Sequence, residues 1–176
     1  KEVKSIRDMD LTDHGHLEQT RDEFLFMCYS GLYYSDLKKL REENLVKTKL
    51  GPVIQGKRTK NDNPYFTPIY KFPGAIDIVD KYKVKTKDEY LFPLAISDQK
   101  FNAKLKTLAA VAKIEKNLTN KVARHTFTDL MISSGYERAF VSKMLGHKKE
   151  ATTQEYYEMN VEHFAKSKLG TDTITL

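Results

Sequence analysis

The most chemically specific residues of the chain lie in three segments near its C-terminal end. They read KVARHTF (121–127), VSKMLGH (141–147) and TTQEY (152–156). Together these segments bring a lysine, an arginine, a histidine and a tyrosine into 36 residues of sequence. An arginine can bind two phosphate oxygens through its planar guanidinium group, and a histidine or lysine can donate a proton. A tyrosine oxygen can attack phosphorus and hold a covalent intermediate, so this set suits chemistry at a phosphodiester.

Apolar residues around these segments recur at helical spacing. We expect helices over about 122–133, 137–145 and 159–166, with Gly135 and Gly146 as breaks between them. Upstream, an apolar stripe follows a helix cap at Ser97 or Asp98, and a further helix begins near Asp13. The C-terminal half is therefore predicted to be helical throughout.

The middle of the chain has a different pattern. Residues 53–57 and 65–69 flank a turn signal, Asn-Asp-Asn-Pro at 61–64, as two strands of a hairpin would. The sequence thus predicts a mainly α fold with a small antiparallel β-sheet. We expect one domain over 1–176, with 1–12 as a linker stub and 166–176 as a C-terminal tail.

Composition limits the class of protein. The 176 residues are 40% hydrophobic and 31% charged, with a mean hydropathy of −0.58, which is typical of a globular domain. The single cysteine, Cys28, rules out a disulfide within the chain and favours the reducing cytoplasm. A net charge of +6 suits a polyanionic partner such as DNA but does not establish one.

The three segments resemble the catalytic domain of the tyrosine recombinases, the phage-integrase family, and in particular integrases of Bacteroidetes mobile elements. Lys121 and Arg124 match the family's box of His or Lys followed three residues later by Arg. The Leu-Gly-His box ends at His147, and Tyr156 follows nine residues later, as in the family pattern. In the hairpin, Lys60 stands where the family has the lysine of an Arg-x-Lys-Thr segment.

The resemblance implies a mechanism that uses no metal or other cofactor. Tyr156 would attack the scissile phosphate and form a 3′-phosphotyrosyl bond. Arg124 and Lys121 would stabilise the transition state with help from His147, and Lys60 would protonate the leaving 5′-oxygen. Three further residues are given accessory roles: His125 as a support beside the catalytic groups, and Lys57 and Arg58 as DNA contacts.

The resemblance also implies partners and further domains. The expected substrate is double-stranded DNA, bound by a homo-tetramer of the full-length protein, whereas the isolated domain is expected to be a monomer. Core-binding and arm-binding domains would lie upstream of this chain. No membrane association is expected.

One departure from the family pattern affects the contact with the phosphate. The first box normally carries an arginine that contacts the phosphate, but this chain has Tyr33 there, while Asp36 keeps the acidic position of that box. A neutral tyrosine cannot make a charge-assisted bidentate contact, so we expect reduced activity, and a higher cleavage rate after Tyr33→Arg. Otherwise the missing charge would come from Arg41 or Arg58.

Two other functions remain open at this point. A DNA-binding relative without catalysis would explain Tyr33, and the nicking of a suicide substrate would distinguish it. A type IB topoisomerase uses closely similar chemistry, and a plasmid relaxation assay would separate it from a recombinase.

Overall fold

Helices make up most of the structure, a computed structural model that describes residues 2–83, 89–93, 96–147 and 174. The helices in these residues are α1 (Glu2–Asp8), α2 (Glu18–Ser30), α3 (Tyr34–Leu37), α4 (Pro73–Lys83), α5 (Asp98–Val111), α6 (Asn120–Ser133) and α7 (Arg138–Met144). Short 3-10 helices lie at Thr12–Leu17, Glu42–Asn44 and Ile69–Lys71. The predicted mainly α class is confirmed.

The centre of the core lies between α2 and α6. Phe24, Phe26 and Cys28 of α2 are buried, as is Phe127 of α6. Gly31 ends α2 in the left-handed conformation with a φ of 68°. A Cβ at this position would lie 2.4 Å from Leu145 Cδ2 and 2.6 Å from Phe127 Cδ1. The end of α2 lies so close to α6 and to the end of α7 that no side chain fits at position 31. Only glycine combines this positive φ with the absence of a Cβ.

A three-stranded antiparallel sheet packs beside the helices in the order β1-β2-β3. Its strands are β1 (Leu45–Thr48), β2 (Gly51–Lys57) and β3 (Pro64–Thr67). In the β2–β3 register Lys57 pairs with Pro64, and the Arg58 N–H donates to the Asn63 carbonyl across the turn at 2.9 Å. The predicted hairpin is confirmed, whereas the four-residue strand β1 was not predicted.

The helices predicted in the C-terminal half are confirmed where the structure describes them. The Ser97 Oγ caps α5 by accepting the Lys100 N–H at 3.2 Å, and α6 and α7 match the predicted 122–133 and 137–145 within two residues. The helix predicted over 159–166 lies outside the described residues.

The prediction of a linker stub over 1–12 is wrong for residues 2–11. Glu2–Asp8 forms α1, in which Ile6 is 1% exposed, and Leu11 is also buried. Four apolar side chains, Val3, Ile6, Met9 and Leu11, alternate with mostly polar residues and give a weak periodic signal, although their packing fixes this segment on the core. Downstream, Thr12–Leu17 is a 3-10 helix, so the α-helix expected near Asp13 begins at Glu18 instead. In the described part of the chain, no helix combines the length and apolar character needed to cross a membrane.

Candidate active site

A cleft of about 510 Å³ opens where the hairpin turn meets the start of α6 and the end of α7. Five of the residues singled out from the sequence line it, namely Tyr33, Arg58, Lys60, Lys121 and His147. Asn61, Asn120 and Gly146 also contribute to the lining. The fold therefore brings residues from four distant parts of the sequence to one concave surface.

The first turn of α6 forms one wall of this cleft. Thr119 caps the helix, because its Oγ1 accepts the Val122 N–H at 3.4 Å. Asn102 Oδ1 of α5 accepts the Asn120 N–H at 3.0 Å. Lys121 is exposed at this helix start, where the positive end of the helix dipole favours an anion. Asn120 was not predicted from sequence, since a single asparagine carries no pattern.

The opposite wall is formed by the end of α7. The Gly146 N–H donates to the Lys143 carbonyl at 2.9 Å, and the His147 N–H donates to the Ser142 carbonyl at 3.1 Å. This pair of bonds, with a φ of 65° at Gly146, is a Schellman motif. It directs the Leu145 carbonyl towards the arginines and places the His147 ring in the cleft. The Leu-Gly-His box is thus a helix cap and a site element together.

Arg124 is buried beside the cleft, with 4% of its surface exposed. Its Nη1 donates to the Gly31 carbonyl at 2.6 Å, and its Nη2 donates to the Leu145 carbonyl at 2.8 Å. The same Nη2 lies 2.8 Å from His147 Nε2. Burial, and then the nearby positive charge of Arg58, lower the pKa of Arg124 to about 10. The guanidinium therefore stays charged at neutral pH.

His147 is held as a neutral imidazole. Because arginine can only donate, His147 Nε2 accepts from Arg124, which leaves the ring proton on Nδ1. Nδ1 then donates to Ser142 Oγ at 3.1 Å. Burial and the positive charges of Arg124 and Arg58 lower the pKa of His147 below its ordinary value. In this arrangement the histidine orients Arg124.

Arg58, which the sequence predicts as a DNA contact, lies buried against the cleft and is not exposed on the hairpin surface. It is 5% exposed, and its Nε donates to Asp36 Oδ2 at 2.8 Å. Its Nη1 donates to the Leu145 carbonyl at 3.0 Å, the same oxygen that accepts from Arg124. Asp36 is itself buried, and a buried carboxylate needs a charged partner, which explains why Arg58 folds inward.

The ring of Tyr33 contacts both arginines. Its centroid lies 4.8 Å from Arg58 Cζ and 4.5 Å from Arg124 Cζ. Of the two arginines considered as sources of the missing charge, Arg58 lies in the site. Arg41 instead stacks on Tyr90, at 4.4 Å.

The remaining predicted residues have different positions. Lys60 is exposed on the hairpin turn and lines the cleft, and Lys57 is exposed on β2. His125 is exposed and makes no hydrogen bond to any described residue, so no hydrogen bond among these residues supports the role predicted for it. Tyr156 lies outside the described residues.

Within 2–83, 89–93 and 96–147, no three His, Cys, Asp or Glu side chains cluster in a way that could hold a metal ion.

Curated relatives are found among the site-specific recombinases. Tyrosine recombinase XerD of Rickettsia bellii is 26% identical over 160 residues, which cover 80% of this chain and 52% of that protein. Tyrosine recombinase XerC of Treponema denticola is 27% identical over 169 residues, or 84% and 55% of the two chains. The chain spans about half the length of these relatives.

Solved structures share the fold. XerA recombinase superposes with a TM-score of 0.63 at 20% identity, over 94% of this chain and 62% of that one. The integrase of mycobacterium phage Brujita gives a TM-score of 0.68 at 13% identity, over 97% and 55%. The model of the phage integrase family matches residues 1–163 of the 176. The chain therefore belongs to the phage integrase family, the tyrosine recombinases.

Proposed function

We propose that this chain is the catalytic domain of a site-specific DNA recombinase that cleaves and rejoins strands through a 3′-phosphotyrosyl intermediate. The observation that carries the proposal is the pair of buried guanidinium groups, Arg58 and Arg124, which share the Leu145 carbonyl beside a cleft lined by lysines. Burying two cations beside a concave surface costs stability, and such an arrangement is typical of a site that binds an anion.

Arg58 supplies the charge that Tyr33 cannot. It lines the cleft, and its Nη2 donates to no described residue, so this group is available to a phosphate oxygen. Arg124 holds the adjoining position and is oriented by His147. Two guanidinium groups fixed before the reaction stabilise the negative charge that develops on the phosphate oxygens in the transition state.

Lys121 and Lys60 complete the charge distribution. Lys121 lies at the start of α6, where the helix dipole adds to its charge. Lys60 is carried by the turn that Asp36 anchors, because Asp36 Oδ1 accepts the Thr59 N–H at 2.8 Å. A lysine on a fixed turn at the edge of the cleft is suited to protonate a leaving oxygen.

The reaction balances without a cofactor. The Tyr156 hydroxyl loses its proton to water, and its oxygen forms a bond to phosphorus as the bond from phosphorus to the 5′-oxygen breaks. Lys60 gives a proton to the 5′-oxygen and then regains one from water. The phosphodiester becomes a phosphotyrosyl ester of similar energy, so a second 5′-hydroxyl can attack it and rejoin the strand.

The proposed substrate and assembly are those that the resemblance to the tyrosine recombinases implies. We expect double-stranded DNA, with a homo-tetramer of the full-length protein exchanging strands between two duplexes, in the bacterial cytoplasm. In support, one solved neighbour is the XerH site-specific recombinase in a post-cleavage complex with difH substrate, with a TM-score of 0.64 at 16% identity. The net charge of +6 favours a duplex partner.

The test is covalent trapping on a nicked suicide duplex whose cleaved fragment diffuses away. Tyr156→Phe is expected to abolish the adduct because the attacking oxygen is removed. Two matched controls are Tyr157→Phe, at the adjacent position in sequence, and Tyr33→Phe, at a tyrosine that lines the cleft. Both variants are expected to retain the adduct, because the attacking oxygen of Tyr156 is still present.

Each alternative result has a defined meaning. An adduct that is lost only in Tyr157→Phe would move the nucleophile by one residue. No adduct from the unsubstituted chain on any duplex that it binds would favour a non-catalytic DNA-binding protein. Relaxation of supercoiled plasmid without regard to sequence would favour a topoisomerase.

A further inference from the structure

We propose that Tyr33 is a positioning residue, whose ring holds the guanidinium groups of Arg58 and Arg124 side by side for the scissile phosphate. The inference rests on the proposed function and deepens it, because it assigns a role to the residue that replaces the arginine of the family's first box. In this proposal, Tyr33 and Arg58 together replace the arginine of the first box, so the site has not merely lost that arginine.

The first argument is electrostatic. Arg58 and Arg124 are so close that one carbonyl oxygen, that of Leu145, accepts a hydrogen bond from both. Two buried cations at this separation repel each other and need negative charge around them. Asp36 forms a direct ion pair with Arg58, whereas it acts on Arg124 from a greater distance. The electron-rich face of the Tyr33 ring is within cation–π distance of both groups, at 4.8 Å and 4.5 Å.

The second argument is local geometry. Tyr33 caps the short helix α3, and its carbonyl accepts the N–H groups of Asp36 and Leu37 at 3.0 Å and 2.9 Å. One turn of backbone therefore carries both the ring that contacts Arg58 and the carboxylate that pairs with it. A displacement of this turn would move the ring and the carboxylate together, so the segment fixes Arg58 from two directions.

The third argument is what other residues would do at this position. An arginine at 33 would add a third cation to two that are already buried, and would remove the ring that contacts them. A leucine would fill space without attracting either guanidinium. Phenylalanine keeps the ring face and removes only the hydroxyl, which makes no hydrogen bond to a described residue.

The test is a series of fluorinated phenylalanines at position 33, with zero, one, two and three ring fluorines. Fluorine withdraws electrons from the ring face and weakens cation–π attraction stepwise, while ring size hardly changes. We expect the rate of adduct formation under saturating DNA to fall with each fluorine, by about ten- to a hundredfold over the series. The same series at Tyr90, which contacts Arg41 away from the cleft, is expected to leave the rate unchanged.

A second measurement does not depend on activity. The Nε–H resonances of Arg58 and Arg124 should both show ring-current shifts in the NMR spectrum of the free protein, and both shifts should disappear in Tyr33→Leu. Unshifted resonances in the unsubstituted chain would overturn the proposal. If the unsubstituted chain forms no adduct, the proposed function fails, and these resonances still decide whether Tyr33 holds the two groups.

The rate series separates positioning from packing. Equal rates across the fluorines, with the ring-current shifts intact, would reduce Tyr33 to a packing residue and overturn the proposal. Tyr33→Arg gives a further check, because the rebuilt site predicts a slower rate than tyrosine, contrary to the expectation from sequence. A faster rate after Tyr33→Arg would also overturn the proposal.

Discussion

Two arginine–tyrosine contacts in this molecule have the same chemistry and different surroundings. Arg41 lies over the Tyr90 ring at 4.4 Å and also donates from Nη2 to the Tyr90 hydroxyl at 3.0 Å. These two residues form an isolated β-bridge that joins distant parts of the chain. Tyr33 instead contacts two arginines, and both of them are almost fully buried.

The difference shows how a structural contact can be distinguished from a functional one. In the first contact, the partly buried Arg41 lies over the ring of Tyr90, and the hydroxyl of that ring accepts a hydrogen bond from the same arginine. The Tyr33 contact lies in a group of like charges, where the pKa of Arg124 is lowered by burial and by Arg58. Stability alone does not favour such crowding, so it indicates a site that binds an anion.

The largest expected effect comes from removing Arg58 without leaving a buried charge unpaired. The double variant Asp36→Asn with Arg58→Met takes away one charge of each sign, and asparagine still offers an oxygen to the Thr59 N–H. We expect adduct formation to slow by about 10²–10³-fold, the usual effect of losing one preorganised donor. Arg41→Met is the matched control and should leave the single-turnover rate close to that of the unsubstituted chain.

A neutral substrate sharpens this prediction. A methylphosphonate at the scissile position carries no negative charge, so a residue that neutralises this charge becomes less important. The rate of the double variant should then approach that of the unsubstituted chain. If the double variant slowed adduct formation equally on the phosphodiester and on the methylphosphonate, the role of Arg58 would be to support the fold, as Arg41 does.

A smaller effect, on stability, is expected at the helix cap beside Arg58. At Gly146 a Cβ would lie 2.9 Å from the Pro64 carbonyl oxygen and 3.0 Å from Arg58 Cγ, and its φ of 65° disfavours other residues. Gly146→Ala should therefore lower the free energy of unfolding by about 1–3 kcal/mol, measured by urea denaturation.

The control for this variant is Gly15→Ala. A Cβ at Gly15 meets nothing within 4 Å, so its substitution should change the free energy of unfolding by less than about 0.5 kcal/mol. If both variants lose the same stability, the close approach of α7 to the hairpin turn is not what requires glycine at 146.

The sequence allowed part of the site to be predicted, for a clear physical reason. Lys121, Arg124 and His147 lie in short continuous motifs that resemble the boxes of the family, so they were recognised without knowledge of the fold. The long helices and the hairpin were predictable for the same reason, since their periodicity and turn residues are local. What depends on contacts between distant segments was not predictable.

Arg58 illustrates that limit. In sequence it belongs to a basic run on a hairpin, which favours an exposed DNA contact. Its burial is decided by Asp36, 22 positions away, and by the Leu145 carbonyl, 87 positions away. The helix α1 was missed similarly, because Ile6 becomes apolar core only when the rest of the fold is present.

The smallest expected effect is a change in the pKa of His147. Its neutral ring accepts from Arg124, and burial together with the charges of Arg124 and Arg58 lowers its pKa below the ordinary 6.5. Removing Arg58 in the double variant should raise this pKa, while Arg41→Met should not move it. The measurement is the chemical shift of the His147 ring protons against pH, assigned with a His147→Gln variant.

Site-specific titration is needed here because His147 and Glu23, among other groups with shifted pKa values, change stability with pH in opposite directions. The folded chain binds fewer protons at His147 than the unfolded chain, so this contribution is present above pH 6.5 and is lost on acidification. Glu23 acts the other way, because burial raises its pKa to about 7, and its contribution is lost as the pH rises from 4.5 towards 7. A global unfolding curve would combine the two. A His147 pKa at or above 6.5 in the unsubstituted chain would mean that Arg124 is not held by a neutral imidazole, and that the tyrosine ring and the backbone carbonyls alone fix the two guanidinium groups.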